Sequence, residues 1–330
     1  MKVAVIGVGS MGINHLRVYT ELDGIEVVGA SDISADRLEM VAARFSVKTY
    51  TDYKELIEKE KPEAVSITVP TSEHEIVAAF CLEHGAHVLV EKPIAATVEE
   101  GQRLIALAQK LGKQLMVGHI IRFNPAMQDL KRRLDNGDLG KIFQVFCRRA
   151  GPFPARIRDV GVVVDLAPHD VDIMRFLTGK DPKRVYAETE QRIHTDHEDL
   201  LFGLLRFPDG ITGALEINWL TPTKMRETLV LGEKGLFRVD DLMQDLYFYE
   251  NPQAIGELWS PFRALRGVSE GSMTRFSVKR QEPLKAELQA FIDAVNNNEP
   301  VPVTGQDGLE ALRLSLALVE SGTTHQVIEV

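Results

Sequence analysis

Lys2-Val3-Ala4-Val5-Ile6-Gly7-Val8-Gly9-Ser10-Met11-Gly12 decides how the rest of the chain is read. Val3–Ile6 is an unbroken apolar run, which predicts a buried strand, and the periodicity of Met11–Leu22 predicts a helix. Between them the glycines stand at the G-x-G-x-x-G spacing. Gly7 permits a tight turn, Gly9 lets backbone approach a pyrophosphate, and Gly12 lets helix pack close to strand. Ser10 and Met11 open the helix, whose N-terminal N–H groups face the anion. The spacing alone is a weak signal, but its context is strong. Asp32 stands 20 residues beyond Gly12, at the end of the next predicted strand, Ile25–Ala30. A carboxylate there accepts a ribose 2′-hydroxyl and repels a 2′-phosphate, so the pattern favours NAD over NADP. A glycine-rich turn with no ligand is the alternative.

The same alternation of short apolar runs and helical periodicity continues through the first third of the chain. Helices are predicted at Ala35–Phe45 (with Ser34 as N-cap), Tyr53–Glu60, Glu73–His84 and Val98–Leu111. Strands are predicted at Ala64–Val69, His87–Val90 and Gln114–Val117. This is an α/β pattern with a doubly wound parallel sheet. Pro125 opens a further helix. Beyond Lys141 the texture changes to strand-like runs: Ile142–Arg149, Arg184–Arg192, Leu200–Phe207, Ile211–Trp219, Glu227–Gly232 and Leu236–Val239. Pro208-Asp209-Gly210 and Glu233-Lys234-Gly235 read as hairpin turns, and one helix, His169–Leu177, interrupts the run. The expectation is two domains, 1–120 and 121–330. The second is α+β, with a large, mainly antiparallel open sheet whose free face needs a cover. A homodimer or homotetramer supplies one. Two late helices, Leu284–Asn296 and Gln306–Ser321, are available to pack back on the first domain, and residues 251–281 show no firm period.

A net charge of -10 lacks the basic footprint of a nucleic-acid binder. No apolar stretch approaches the roughly 20 residues of a membrane span. Met1-Lys2 leads straight into the strand pattern, which leaves no room for a signal peptide. Cys81 and Cys147 fall on different elements and read as buried thiols, with a catalytic cysteine the remoter alternative. These features together predict a cytoplasmic protein.

Chemistry concentrates at a few places. Val69-Pro70-Thr71 ends a strand on the edge where such sheets hold cofactors, and His74 follows on the next helix. There it either reaches the dinucleotide or stands in solvent. Glu91-Lys92-Pro93 ends the run His87–Val90, and Glu91 and Lys92 are expected among the cofactor-binding residues. A lysine closing a buried strand is unusual: it either snorkels to solvent or pairs with Glu91, or it serves as an acid–base group beside the nicotinamide. Asp165 and His169 in Asp165-Leu166-Ala167-Pro168-His169-Asp170 share a face if the segment is helical, whereas Pro168 suggests a turn leading into a helix. A histidine with a nearby carboxylate takes a proton from a hydroxyl as hydride leaves the same carbon. A metal site from His169, Asp170 and Asp172 matches no zinc spacing, so no metal is expected. His194 and His197 with Glu198 and Asp199 read as a solvated polar turn. Arg122 and Asn124 follow the strand Gln114–Val117 and are placed to bond a sugar or the nicotinamide end. Arg149 and Arg156 belong to an arginine cluster, with Arg148 and Arg158, suited to a diphosphate; surface ion pairing is the alternative for some of them. Arg263, Arg266, Arg275, Lys279 and Arg280 form a second basic stretch that serves as a lid, a subunit contact or a solvated loop.

In this order the glycine loop, Asp32, the Val-Pro-Thr segment with His74, Glu91-Lys92-Pro93, and Asp165 with His169 resemble the Gfo/Idh/MocA oxidoreductases across essentially the whole chain. The resemblance implies a Rossmann domain followed by an open-sheet domain. It also implies that Lys92, Asp165 and His169 act together on a sugar carbinol. Val117-Gly118-His119-Ile120-Ile121-Arg122-Phe123-Asn124-Pro125-Ala126 and Arg158–Asp165 are similar to the UDP-N-acetylglucosamine 3-dehydrogenase group of that family. Many of that group carry glutamate at the position of Ile121 and an aliphatic residue at that of Pro168. This narrower resemblance implies a sugar-nucleotide substrate oxidised at its 3-hydroxyl. A free sugar or inositol, and a catalytically silent NAD(H)-binding regulator, are the rival readings.

Overall fold

Strand β1, Lys2–Ile6, lies inside a six-stranded parallel sheet with β2 (Glu26–Ser31) on one side and β4 (Ala64–Ile67) on the other. A computed structural model describes residues 1–154, 160–193, 196–252 and 271–330. With β3 (Thr49–Tyr50), β5 (His87–Glu91) and β6 (Leu115–Gly118) the strand order is β3-β2-β1-β4-β5-β6, the doubly wound order with its switch between β1 and β4. The connecting helices are α1 (Ser10–Glu21), α2 (Ala35–Phe45), α3 (Tyr53–Glu60), α4 (His74–Glu83) and α5 (Val98–Leu111). Ser34 caps α2 by accepting the Arg37 N–H, and Thr97 with Glu100 forms a capping box on α5. Because both faces of the sheet are covered, its strands are apolar along their length. Val3, Val5, Val65, Ile67 and Leu89 are fully buried.

The chain divides into two compact units: residues 1–123 with 281–313, and residues 124–280 with 314–330. The first unit is therefore discontinuous. Helix α8, Pro283–Asn297, belongs to it and buries Leu284, Leu288, Phe291 and Ile292 in the same core as β1 and β4.

The second unit holds α6 (Pro125–Asp135) and α7 (Val162–Thr178) against a sheet that is nine-stranded among the described residues. Its strands are β7 (Ile142–Pro152), β8 (Arg184–Glu190), β9 (Leu200–Arg206), β10 (Thr212–Asn218), β11 (Leu220–Gly232), β12 (Gly235–Asp240), β13 (Asp245–Glu250), β14 (Met273–Phe276) and β15 (Ile328–Glu329). The order is β14-β13-β12-β11-β7-β10-β9-β8-β15, with β7 and β10 parallel and the other pairs antiparallel. One face carries α7. On the other, Phe202 and Leu204 of β9 are each 52% exposed, beside Phe146, Ala214 and Leu231 of neighbouring strands.

Several elements differ from the sequence reading. Strands β13 and β14 were not anticipated, and β14 lies in the stretch judged aperiodic. Helix α7 starts at Val162 and runs through Pro168, because its buried face, with Val163, Ala167 and Val171, outweighs the one donor that proline lacks. Glu198 and Asp199 are not a solvated turn. Glu198 accepts the Val163 N–H at the start of α7, and Asp199 is fully buried and accepts the N–H groups of Arg192 and Ile193. His194, Arg156, Arg158, Arg263 and Arg266 lie outside the described residues. Among the described residues no helix is long and apolar enough to cross a membrane.

Candidate active site

In the first unit the carboxyl ends of β1, β2, β4 and β5 bring the predicted cofactor residues to one edge. Gly7 has φ +85 and donates its N–H to Ser31 O at 2.7 Å. A Cβ on Gly12 would stand 1.8 Å from Gly7 O, so only glycine lets α1 start this close to the turn. Gly9 is different: a Cβ there would meet nothing within 4 Å. Gly9 is also the N-cap of α1, makes no side-chain cap, and is followed by no acidic residue in the first turn. The helix N-terminus, through Ser10 and Met11, is thus left open to an anion. This is the surface a dinucleotide diphosphate needs, so these residues fit NAD. Asp32 closes the far side of the loop, its Oδ2 accepting Val8 N–H at 2.8 Å and its Oδ1 accepting Ser34 N–H at 2.9 Å.

Val69, Pro70 and Thr71 leave β4 and enter a 3-10 turn that ends at α4. His74 neither stands in solvent nor turns outward. It is buried, with Nε2 3.0 Å from Val69 O and Nδ1 2.8 Å from Pro93 O, and so ties the loop after β4 to the loop after β5. Burial pushes its pKa down, against the pull of the two carbonyls. Glu91 turns inward onto His15, Nε2 to Oε1 3.0 Å, and Lys92 follows it with a cis bond to Pro93.

The arginines and Asn124 fall elsewhere than expected. Arg122 is buried and paired with Asp307 at 3.1 Å. Asn124 caps α6 through Ala126 N–H and donates to Asp241 O at 2.9 Å. Arg149, expected at the substrate, is fully committed inside the second unit: Nε and Nη2 each lie 2.8 Å from Asp170, and Asp241 is 3.7 Å away. Burial would lower its pKa, but the two aspartates raise it instead. Arg148 lies on the open sheet face, bonded to Glu216. Arg226 of β11 stands opposite Arg149 of β7, with its Nη1 donating to Ala150 O at 2.7 Å and to Met225 O at 2.8 Å. Burial and then Arg149 draw its pKa down to about 10, while Asp170, Asp241 and Asp165 pull it up. Asp241 is pushed up to about 7, chiefly by burial. Arg226 precedes the strand predicted at Glu227–Gly232, so no signal in the sequence marked it.

Asp165 and His169 lie one turn apart on α7, both half-buried, so the helical alternative holds for this segment. Among the described residues no cluster of three or more His, Cys, Asp or Glu could hold a metal ion.

Residues 1–119 match the model of the oxidoreductase family with an NAD-binding Rossmann fold, and residues 127–238 match the GFO/IDH/MocA C-terminal domain. The UDP-N-acetylglucosamine 3-dehydrogenase of Acidithiobacillus ferrooxidans is 29% identical over 316 residues, covering 96% of this chain and 95% of that one. Its solved structure superposes with a TM-score of 0.86 at 28% identity, covering 97% of each chain. The myo-inositol 2-dehydrogenase of Thermotoga maritima is 27% identical over 334 residues, 97% of this chain and 96% of its own. The scyllo-inositol dehydrogenase of Lactobacillus casei, solved with NAD(H) and scyllo-inositol, shares the fold with a TM-score of 0.83 at 21% identity, covering 100% of this chain and 98% of that one.

Proposed function

Because the chain belongs to the Gfo/Idh/MocA family and is an NAD-dependent oxidoreductase acting on a CH–OH group, we propose that it oxidises the 3-hydroxyl of UDP-N-acetylglucosamine, or of its 6-carboxylate, to the 3-keto sugar. The observation that carries this reading is the end-to-end likeness, in sequence and fold, to the Acidithiobacillus enzyme. In this reading Gly7 to Gly12, Asp32 and the Val69–Thr71 loop hold NAD, which supplies the hydride acceptor. His74 serves by fixing the two loops rather than by touching the cofactor. Lys92 and His169 handle the proton that leaves the substrate hydroxyl, with His169 as general base, and Asp165 orients that hydroxyl. Arg149, held between Asp170 and Asp241, is left a structural role. The protein works in the cytoplasm.

A panel of UDP-N-acetylglucosamine, its 6-carboxylate, free N-acetylglucosamine and the inositols, followed by NADH absorbance, tests the substrate. A kcat/KM at least about 100-fold higher for a UDP-sugar is expected, since one mismatched polar group costs that much or more in a hydrogen-bonding site. Higher activity on inositol would replace this reading with the second one, which the Thermotoga relative favours.

The open face of the second sheet is the proposed contact between copies of the chain. Phe202→Glu together with Leu204→Lys places charge on two side chains that now expose apolar surface. Light scattering is expected to show the wild type as a dimer or tetramer and the double variant as a smaller species. An unchanged mass for the variant removes this face from the assembly.

A further inference from the structure

Three largely buried ionisable groups of the first unit have no part in the roles above: His15 on α1, Glu91 at the end of β5, and Glu287 on α8. His15 is 0% exposed, with Nε2 on Glu91 and an Nδ1 that has no hydrogen-bond partner among the described residues. Glu91 fits here because its neighbour across the sheet is Gly118, where a Cβ would stand 3.1 Å from the carboxylate. The second oxygen of Glu91 accepts the Lys92 N–H at 3.2 Å. Glu287 is also 0% exposed, and neither of its oxygens has a hydrogen-bond partner among the described residues.

Among the described residues, α1 and the 120–123 turn pack most extensively on α8. Helix α1 brings His15, Arg17, Tyr19 and Glu21, and the turn brings Arg122. Arg17 pairs with Glu21 and Glu282, Lys285 with Glu21, and Arg122 with Asp307, while Tyr19 Oη bonds Ser66 Oγ. Glu287 is left facing a second carboxylate with no counter-ion bonded to it. Two carboxylates sharing one apolar interior do not both ionise. The charge goes to the better-solvated partner, which is Glu91, with its ring nitrogen and its N–H. Burial and then the Glu91 charge hold Glu287 well above the usual carboxyl range. Burial alone would raise Glu91 too, but the His15 hydrogen bond and the His15 and Lys92 charges carry it below.

We propose that Glu287 is the protonated member of a buried carboxyl pair, and that its proton keeps the Glu91 charge, and through it Lys92, in place; Glu287 is then a positioning residue for the reaction. The activity half of this rests on Lys92 handling the substrate proton, whereas the stability half does not. The sign follows from linkage. The folded chain keeps a proton that the unfolded chain releases at an ordinary carboxyl pKa, so stability declines as pH rises above that value until Glu287 ionises in the fold. Glu287→Gln keeps the shape, stays neutral and removes the decline.

The test measures Tm and the kcat/KM profile from about pH 5 to pH 9 for the wild type, Glu287→Gln and Glu287→Leu. At pH 6 the Gln variant is expected within about twofold of wild type in kcat/KM. Toward pH 9 its Tm should fall less than that of wild type, and the alkaline limb of its activity should move up by about one pH unit or more. Superimposable Tm curves, or a need for the charge shown by failure of both variants to fold, overturn the protonated pair. A flattened Tm curve with an unmoved activity profile overturns the positioning role. An active Lys92→Ala enzyme removes the activity half with the proposed function and leaves the Tm comparison to decide the pair.

Discussion

Lys92→Ala is expected to lower kcat by about 100- to 10,000-fold, the usual contribution of one general acid–base group, while NAD affinity stays within a few-fold. The two quantities separate because the proposed cofactor surface lies elsewhere, at the glycine turn, the open end of α1 and Asp32. Lys92→Arg sharpens the result. Arginine keeps the charge but does not release its proton in this pH range, so a proton-handling role predicts that it is nearly as inactive as alanine. Recovery of activity by arginine alone would mean that Lys92 acts as a fixed cation. Steady-state NADH formation and a fluorescence titration of NADH measure the two effects. Turnover by the alanine variant within tenfold of wild type would end the mechanism proposed here.

Gly12→Ala and Gly9→Ala are expected to fail in different ways. At Gly12 the new carbon would stand 1.8 Å from Gly7 O and 2.6 Å from Thr68 Oγ1, far inside contact distance. Backbone must move, which costs about 1–3 kcal/mol or more of stability and displaces the helix terminus proposed to bind the diphosphate. Both Tm and NAD affinity should fall. At Gly9 the new carbon meets nothing within 4 Å, so folding is expected to be untouched, but the methyl group would occupy the space proposed for the diphosphate. NAD affinity should fall by about 10-fold or more, worth roughly 1.4 kcal/mol, with Tm of the free protein unchanged. Thermal unfolding with and without NAD separates the pair. Undiminished affinity in the Gly9 variant would show that the diphosphate does not lie over this loop.

Features whose cause is local were legible in the sequence. The glycine turn, the Ser34 cap and the alternation of β9 each depend on residues a few positions apart. Arg122, Asn124 and Arg149 were not, because a sequence displays a guanidinium or an amide without displaying its partner. Asp307, the Asp241 carbonyl and Asp170 come to them through the fold and take up their hydrogen-bonding capacity. His74 was misread for the same reason, since the loop after β5 supplies half of its surroundings. Pro168 misled through its intrinsic preference, which the packing of α7 overrides. Strand β14 has four residues, three of them exposed, and pairs through its backbone, so it leaves no apolar period. Glu287 was open to discovery: Leu284, Glu287, Leu288 and Phe291 stand at i, i+3, i+4 and i+7, which places an acid on the buried stripe of a helix.

The discontinuity of the first unit also bears on how the protein is made. The ribosome releases β1 to β6 well before α8, with Leu288 and Phe291, and the segment through residue 313, because residues 124–280 of the second unit come between them. Until then the nascent sheet carries an uncovered apolar surface in the crowded cell, and contacts of very long sequence separation form slowly. The first unit is begun before the second and completed only after residues 124–280 of the second have emerged.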